Sequence, residues 1–192
     1  MEAFLFSTGF VALAEIGDKT QLLALLLAAR FKRPIPIIAG IFVSTVLNHA
    51  LAGSLGSWLT SLVPADIMRW VLGGSFLAMA VWLLIPDSID DEDTRLQDKL
   101  GVFGATVIAF FLAEMGDKTQ IATVALAARF DSLMGVVMGT TAGMMLANVP
   151  AVLLGEAAAK RIPVKWVHGC AALLFAVLGV VVLSGVQLGF MG

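Results

Sequence analysis

Six long apolar segments occupy almost the whole chain and constrain its fold more than any other feature. A helix that crosses a bilayer needs about 20 consecutive, mostly apolar residues. The 192-residue chain is 59% hydrophobic and 14% charged, whereas soluble domains contain about 25% charged residues. We therefore predict an all-α integral membrane protein with no soluble domain. Its six transmembrane helices are expected at residues 3–29, 35–60, 67–86, 101–128, 133–158 and 164–188.

An internal repeat divides these segments into two sets of three. Residues 13–31 and 112–130, which are 99 positions apart, are identical at 13 of 19 aligned positions. Because each half contains an odd number of helices, the second half enters the membrane in the opposite direction, as in many secondary transporters. We predict two inverted three-helix repeats at 1–86 and 100–192, joined by an acidic cytoplasmic linker at 87–99.

The distribution of basic residues predicts the orientation. The first, third and fifth connections hold eight Lys and Arg residues, whereas the second and fourth hold two. Lys and Arg concentrate in cytoplasmic loops, so these odd-numbered connections should face the cytoplasm and both termini the opposite side. The chain is short and carries no organellar targeting signal, and we therefore expect a bacterial inner (plasma) membrane.

Both repeats place charged residues inside an apolar segment, as EIGDKT and EMGDKT. Residues three and four apart share a helix face, so a continuous helix would place Glu15, Asp18 and Lys19 together. Gly17 would lie nearly opposite Glu15 and permit close helix approach or local unwinding. Lys19 is eleven residues from Arg30 at the cytoplasmic edge, or about 16 Å at ~1.5 Å per residue. The two motifs would therefore meet near the midplane from opposite sides.

The cost of buried charge indicates a functional site, with purely structural ion pairing as the alternative. A charged residue at the bilayer centre costs several kcal/mol. Four carboxylates and two lysines leave a formal charge of −2, which suits one divalent cation or two protons. Both motifs offer oxygen donors and no Cys or His, which favours Ca²⁺, Mn²⁺ or Mg²⁺ over Cu⁺ or Zn²⁺.

Other polar side chains lie in or beside the same segments. They comprise the lysines, the amide and hydroxyl groups of the motifs, and three residues in the second helices of the two repeats. An imidazole near the site would favour a transition metal such as Mn²⁺, although a histidine that only packs between helices is equally compatible. These supporting residues are Lys19, Lys118, Thr20, Thr119, Gln21, Gln120, Asn48, His49 and Asn148.

The doubled motif resembles the E-x-G-D-[KR]-[TS] signature of the transmembrane-protein-165-like cation/proton antiporters. That family includes Golgi calcium/manganese transporters and bacterial manganese exporters of the MneA type. The resemblance implies export of Mn²⁺ from the cytoplasm in exchange for protons, with Ca²⁺ as the alternative ion. It implies metal-ligand roles for Glu15, Asp18, Glu114 and Asp117.

We expect no enzymatic activity, no resident cofactor and no nucleic-acid partner. The expected partners are the lipid bilayer, the transported divalent cation and protons, and an oligomer is compatible with the sequence. Two other functions stay open. A passive cation channel would show no dependence on a proton gradient, and an intramembrane enzyme with paired acids would leave metal flux unchanged when deleted.

Overall fold

The computed structural model describes residues 1–84, 97–154 and 164–185, and the regular structure of this part is all helical. This confirms the all-α prediction for the described residues, whereas most of the predicted linker at 87–99 lies outside them. The eight helices described are α1 (Glu2–Glu15), α2 (Lys19–Phe31), α3 (Pro34–Leu62), α4 (Ala65–Trp82), α5 (Gln97–Glu114), α6 (Lys118–Arg129), α7 (Leu133–Leu154) and α8 (Val164–Ser184).

Both charged motifs interrupt the helix in which they lie. Gly17 and Gly116 have φ of 84° and 74°, a left-handed conformation that glycine adopts without steric cost. Asp18 and Asp117 follow with extended backbones, and a new helix begins at the next residue. The prediction of one continuous helix, with Glu15, Asp18 and Lys19 on a single face, is therefore wrong, and the alternative of local unwinding is confirmed.

The described helices provide two clear membrane crossings. Helices α3 and α7 are each long and apolar enough to span a bilayer. Helices α5 and α6, bent by 72° between Leu100–Glu114 and Lys118–Arg129, form a third crossing if the pair is one span. Residues Gly169–Ser184 of α8 form a shorter apolar helix. Six crossings in two inverted repeats stay a prediction.

Packing contacts recur in both halves of the molecule. Helix α3 packs on α5, and the equivalent α7 packs on α1. A Cβ atom at Gly40 would lie 2.7 Å from Thr106 Cβ, and one at Gly139 would lie 2.9 Å from Ser7 Cβ. Gly40 and Gly139 are 99 positions apart, as are Ser7 and Thr106. The same close crossing is thus built twice, because glycine lets the two backbones approach.

Helices α4 and α8 form a pair with a reciprocal contact of their own. A Cβ at Gly73 would overlap Leu183 Cγ, and one at Gly179 would lie 2.8 Å from Leu77 Cγ. In addition to packing on each other, α4 packs on α6 and α8 packs on α1. Phe76 and Phe175 of this pair share one apolar core with Phe10 of α1 and Leu126 of α6.

Candidate metal centre at the two helix breaks

The two helix breaks bring their acidic side chains together inside the protein. Glu15 and Glu114 are the last residues of α1 and α5, while Asp18 and Asp117 precede the first residues of α2 and α6. All four acidic side chains are buried. Oxygen atoms of Glu15, Glu114 and Asp117 lie within 4.8 Å of one another. Because Ca²⁺–oxygen distances are about 2.3–2.6 Å, one cation could contact all three.

Cross-motif ion pairs connect the breaks. Lys19 Nζ lies 2.9 Å from Asp117 Oδ1, and Lys118 Nζ lies 3.8 Å from Asp18 Oδ1. These ion pairs therefore run across the two motifs, between each lysine and the aspartate of the other motif.

Two threonine hydroxyls converge on one of the glutamates. Thr20 Oγ1 donates to Glu15 Oε2 over 2.6 Å, and Thr119 Oγ1 donates to Glu15 Oε1. Among the described residues, no donor reaches either carboxylate oxygen of Glu114, and none reaches Asp117 Oδ2. A buried carboxylate oxygen without a donor is costly. These three oxygens are therefore the atoms of the site best suited to a cation or a proton.

The helix ends at the two breaks affect the aspartates and the glutamates differently. The N-terminal end of a helix favours negative charge, and the C-terminal end disfavours it. Asp18 and Asp117 lie at the N-terminal ends of α2 and α6, whereas Glu15 and Glu114 lie at the C-terminal ends of α1 and α5. The glutamates, more than the aspartates, need a bound positive species for their charged form.

The amide side chains of the motifs take part in bonds within the protein. Gln21 Oε1 accepts a hydrogen bond from Gly17 N over 2.9 Å, and Gln120 Oε1 accepts one from Gly116 N over 2.8 Å. The sequence predicts that both amide groups add neutral oxygens near the ion. In the structure each of these oxygens accepts the backbone N–H of the glycine in its own break.

Polar residues of α3 and α7 surround the breaks in different ways. Asn48 Oδ1 accepts from Gln120 Nε2 over 3.2 Å, and Asn148 Nδ2 donates to Met144 O over 3.1 Å. His49 is fully buried, and neither ring nitrogen has a hydrogen-bond partner among the described residues. His49 is not a member of the group formed by Glu15, Glu114 and Asp117.

Sequence reasoning identified the carboxylates but missed how the other residues hold them. The exchanged ion pairs and the glutamine bonds depend on a broken helix. The available signal was the glycine between Glu and Asp in both copies of the motif. A glycine repeated between two charged residues indicates a required positive φ, which a continuous helix cannot provide.

Apolar helices around a buried, doubled carboxylate motif define an integral membrane protein of the ion-transporter class. A family model described as "Divalent cation/proton antiporter GDT1" matches residues 3–91 and 102–188. The chain belongs to this family, which confirms the resemblance seen in the motifs and supports transport rather than catalysis.

Relatives of the chain are similar over nearly its full length. A protein of Vibrio cholerae named "Putative manganese exporter" is 52% identical over 179 residues, which cover 93% of this chain and 88% of the relative. A GDT1-like protein of Synechocystis is 30% identical, covering 94% and 96%. One from Arabidopsis thaliana is 26% identical, covering 94% of both chains. No solved structure matches the chain.

Proposed function

We propose that this protein exports Mn²⁺ from the cytoplasm in exchange for protons. The observation that carries the proposal is the buried carboxylate of Glu114, whose two oxygens receive no donor among the described residues. It lies with Glu15 and Asp117 in one oxygen-lined group. A carboxylate in that position requires a cation or a proton in place of a hydrogen bond.

The charge balance gives the coupling. Glu15, Asp18, Glu114 and Asp117 are the proposed ligand set, and Lys19 and Lys118 offset two of their four charges. The remaining −2 is neutralised by one divalent cation or by two protons. Four crowded carboxylates cannot all ionise in a low-dielectric site without cations. Metal and protons are then alternative occupants of the same oxygens, and net exchange should approach two protons per metal ion.

Mutual exclusion becomes antiport when the empty, fully charged site cannot reorient. Moving uncompensated carboxylates through the bilayer centre is costly, so only the metal-loaded and the protonated forms should complete the cycle. The inverted repeats would supply the two orientations by moving against each other around the fixed site.

Oxygen donors and the similarity to other proteins support the choice of ion. Carboxylate sites suit Mn²⁺, Ca²⁺ and Mg²⁺, and the 52% identical relative is named for manganese export. The family description covers divalent cations in general, so Ca²⁺ is the second candidate. Metal contents of cells with and without the gene, under separate Mn²⁺, Ca²⁺ and Mg²⁺ loads, distinguish the ions.

A reconstituted system tests the mechanism directly. Proteoliposomes that contain a metal-sensitive dye and a pH-sensitive dye should report Mn²⁺ movement in one direction and proton movement in the other. Vesicles with the Glu114→Gln variant are the control and should show neither signal. Robust Mn²⁺ movement without a pH change in well-sealed vesicles would contradict exchange and indicate a channel or uniporter.

The proposed direction of export depends on the orientation of the chain. With Cys170 replaced, cysteines introduced at residues 2 and 91 report the side on which each position lies. We expect residue 2 to be labelled from outside intact cells of a bacterial host and residue 91 to be protected. Labelling of residue 91 from outside would reverse the proposed topology.

A further inference from the structure

Gln21 and Gln120 occupy equivalent places in the two motifs, three residues after the aspartates. The amide oxygen of each accepts the backbone N–H of the glycine in its own break, over 2.9 Å for Gln21 and 2.8 Å for Gln120. A backbone N–H at a helix break has no helical partner. Each glutamine replaces that partner, and the bond holds the left-handed glycine in place.

The amide nitrogens extend the same arrangement to the opposite repeat. Gln21 Nε2 donates to Ala147 O of α7 over 2.9 Å, and Gln120 Nε2 donates to Asn48 Oδ1 of α3 over 3.2 Å. Positions 48 and 147 are 99 residues apart and therefore equivalent in the repeat. Both glutamines thus connect their own break to the same point of the other repeat's long helix.

The two connections differ in their acceptors. Gln21 donates directly to a backbone carbonyl, whereas Gln120 donates to the side chain of Asn48. Asn48 Nδ2 in turn donates to Phe111 O over 3.1 Å, three residues before Glu114 on α5. The second connection therefore includes α6, α3 and the helix that ends in Glu114.

We propose that Gln21 and Gln120 are positioning residues, which hold each helix break against the opposite repeat and thereby align the carboxylates of both motifs. Their amide groups are occupied by the protein and do not ligate the ion. Outer residues that orient metal ligands typically contribute about 10–100-fold to metal affinity. The inference rests on the proposed function, because alignment is measured through metal transport.

Substitution of Gln120 separates positioning from ligation. Gln120→Asn shortens the side chain by one methylene, so it cannot reach both Gly116 N and Asn48 Oδ1. We expect the KM for Mn²⁺ to rise about 10-fold or more, with a smaller change in maximal rate. Gln21→Asn should have a comparable effect. Thr123→Val is the matched control, since its buried hydroxyl donates only to Thr119 O of its own helix.

A second substitution should rescue the first. Asn48→Gln lengthens the partner by one methylene, so Gln120→Asn with Asn48→Gln can restore the bond between the repeats. We expect the double variant to recover a KM within about threefold of wild type, a fraction of the 10–100-fold range for such residues. No rescue, with both proteins folded by gel filtration, would contradict positioning through this bond and favour Gln120 as a direct ligand.

The outcomes also separate this inference from the proposed function. If wild-type vesicles move no Mn²⁺, the proposed function fails before the glutamines are tested. If wild type transports Mn²⁺ and Gln120→Asn and Gln21→Asn both behave like Thr123→Val, the function stands and the positioning role is wrong.

Discussion

The first and second helix breaks have the same backbone conformation but different surroundings. In each, the aspartate N–H donates to the preceding glutamate carbonyl over 3.1 Å. The side chain of Lys19 is nevertheless 25% exposed, compared with 2% for Lys118. Glu15 accepts both threonine hydroxyls, whereas Glu114 accepts no hydrogen bond from the described residues. Local sequence thus determines the shape of a break, and tertiary packing determines its environment.

Different helices also pack around the two breaks. The α4–α8 pair packs against α1 and α6 and shares an apolar core with them. The second apolar core contains Leu23 and Leu27 of α2 with residues of α3, α5 and α7, and no residue of α4 or α8 among those described. Repeats that move against each other around a fixed site should exchange such environments between two conformations.

Removal of either glutamate should have the largest effect. Glu15→Gln and Glu114→Gln each remove a buried carboxylate from the shared oxygen group, and we expect each to abolish Mn²⁺ transport while the protein still inserts. Residues that act as a unit are not additive, so the double variant should be no worse than either single variant. The measurement is Mn²⁺ uptake into proteoliposomes at matched protein content.

Unequal loss of Mn²⁺ transport in the two variants would mean that the two breaks have different roles. If one Gln variant retained transport, the site would not be shared and that motif would be structural. Retention by Glu15→Gln would mean that its two threonine donors, rather than a cation, satisfy that carboxylate.

Replacement of a lysine should have the next largest effect. We expect the two lysine variants to lose unequal amounts of stability. Breaking a buried ion pair typically costs about 3–5 kcal/mol, because the remaining charge is left uncompensated. The Lys118–Asp18 pair is buried at both ends, whereas Lys19 is 25% exposed, so water can compensate part of the loss of the Lys19–Asp117 pair. Lys118→Met should therefore lower the melting temperature in detergent clearly more than Lys19→Met. Arg33→Met, at an exposed position outside the breaks, is the control. Equal destabilisation by the two lysine variants would show that both ammonium groups are equally buried in solution.

Sequence alone predicted the repeats, the apolar helices and the acidic residues, because hydrophobic length and identity at a fixed offset can be read directly. It did not predict which lysine meets which aspartate. That pairing depends on the path of the chain after Gly17 and Gly116, where a positive φ redirects the following helix. The inequality of Glu15 and Glu114 was also beyond sequence, since it arises from packing between elements distant in the chain.

Replacement of the two threonines that donate to Glu15 should have the smallest effect on transport. Thr119 reaches Glu15 across the motifs, and Thr20 reaches it within one motif. A hydrogen bond to a charged group contributes about 1.5–3 kcal/mol, but each hydroxyl leaves the other in place. We therefore expect Thr20→Val and Thr119→Val each to raise the KM for Mn²⁺ about three- to tenfold, a part of that bond energy at about 1.4 kcal/mol per tenfold. Thr123→Val should have no effect.

The ratio of these two effects tests whether the asymmetry belongs to one conformation. If the repeats exchange environments during transport, both hydroxyls serve Glu15 in one state and Glu114 in the other. The two variants should then differ by no more than about twofold, which corresponds to less than about 0.5 kcal/mol. A severe effect of Thr119→Val together with a silent Thr20→Val would contradict exchange. The arrangement around Glu15 would then be permanent, and the two motifs would have different functions despite their shared sequence.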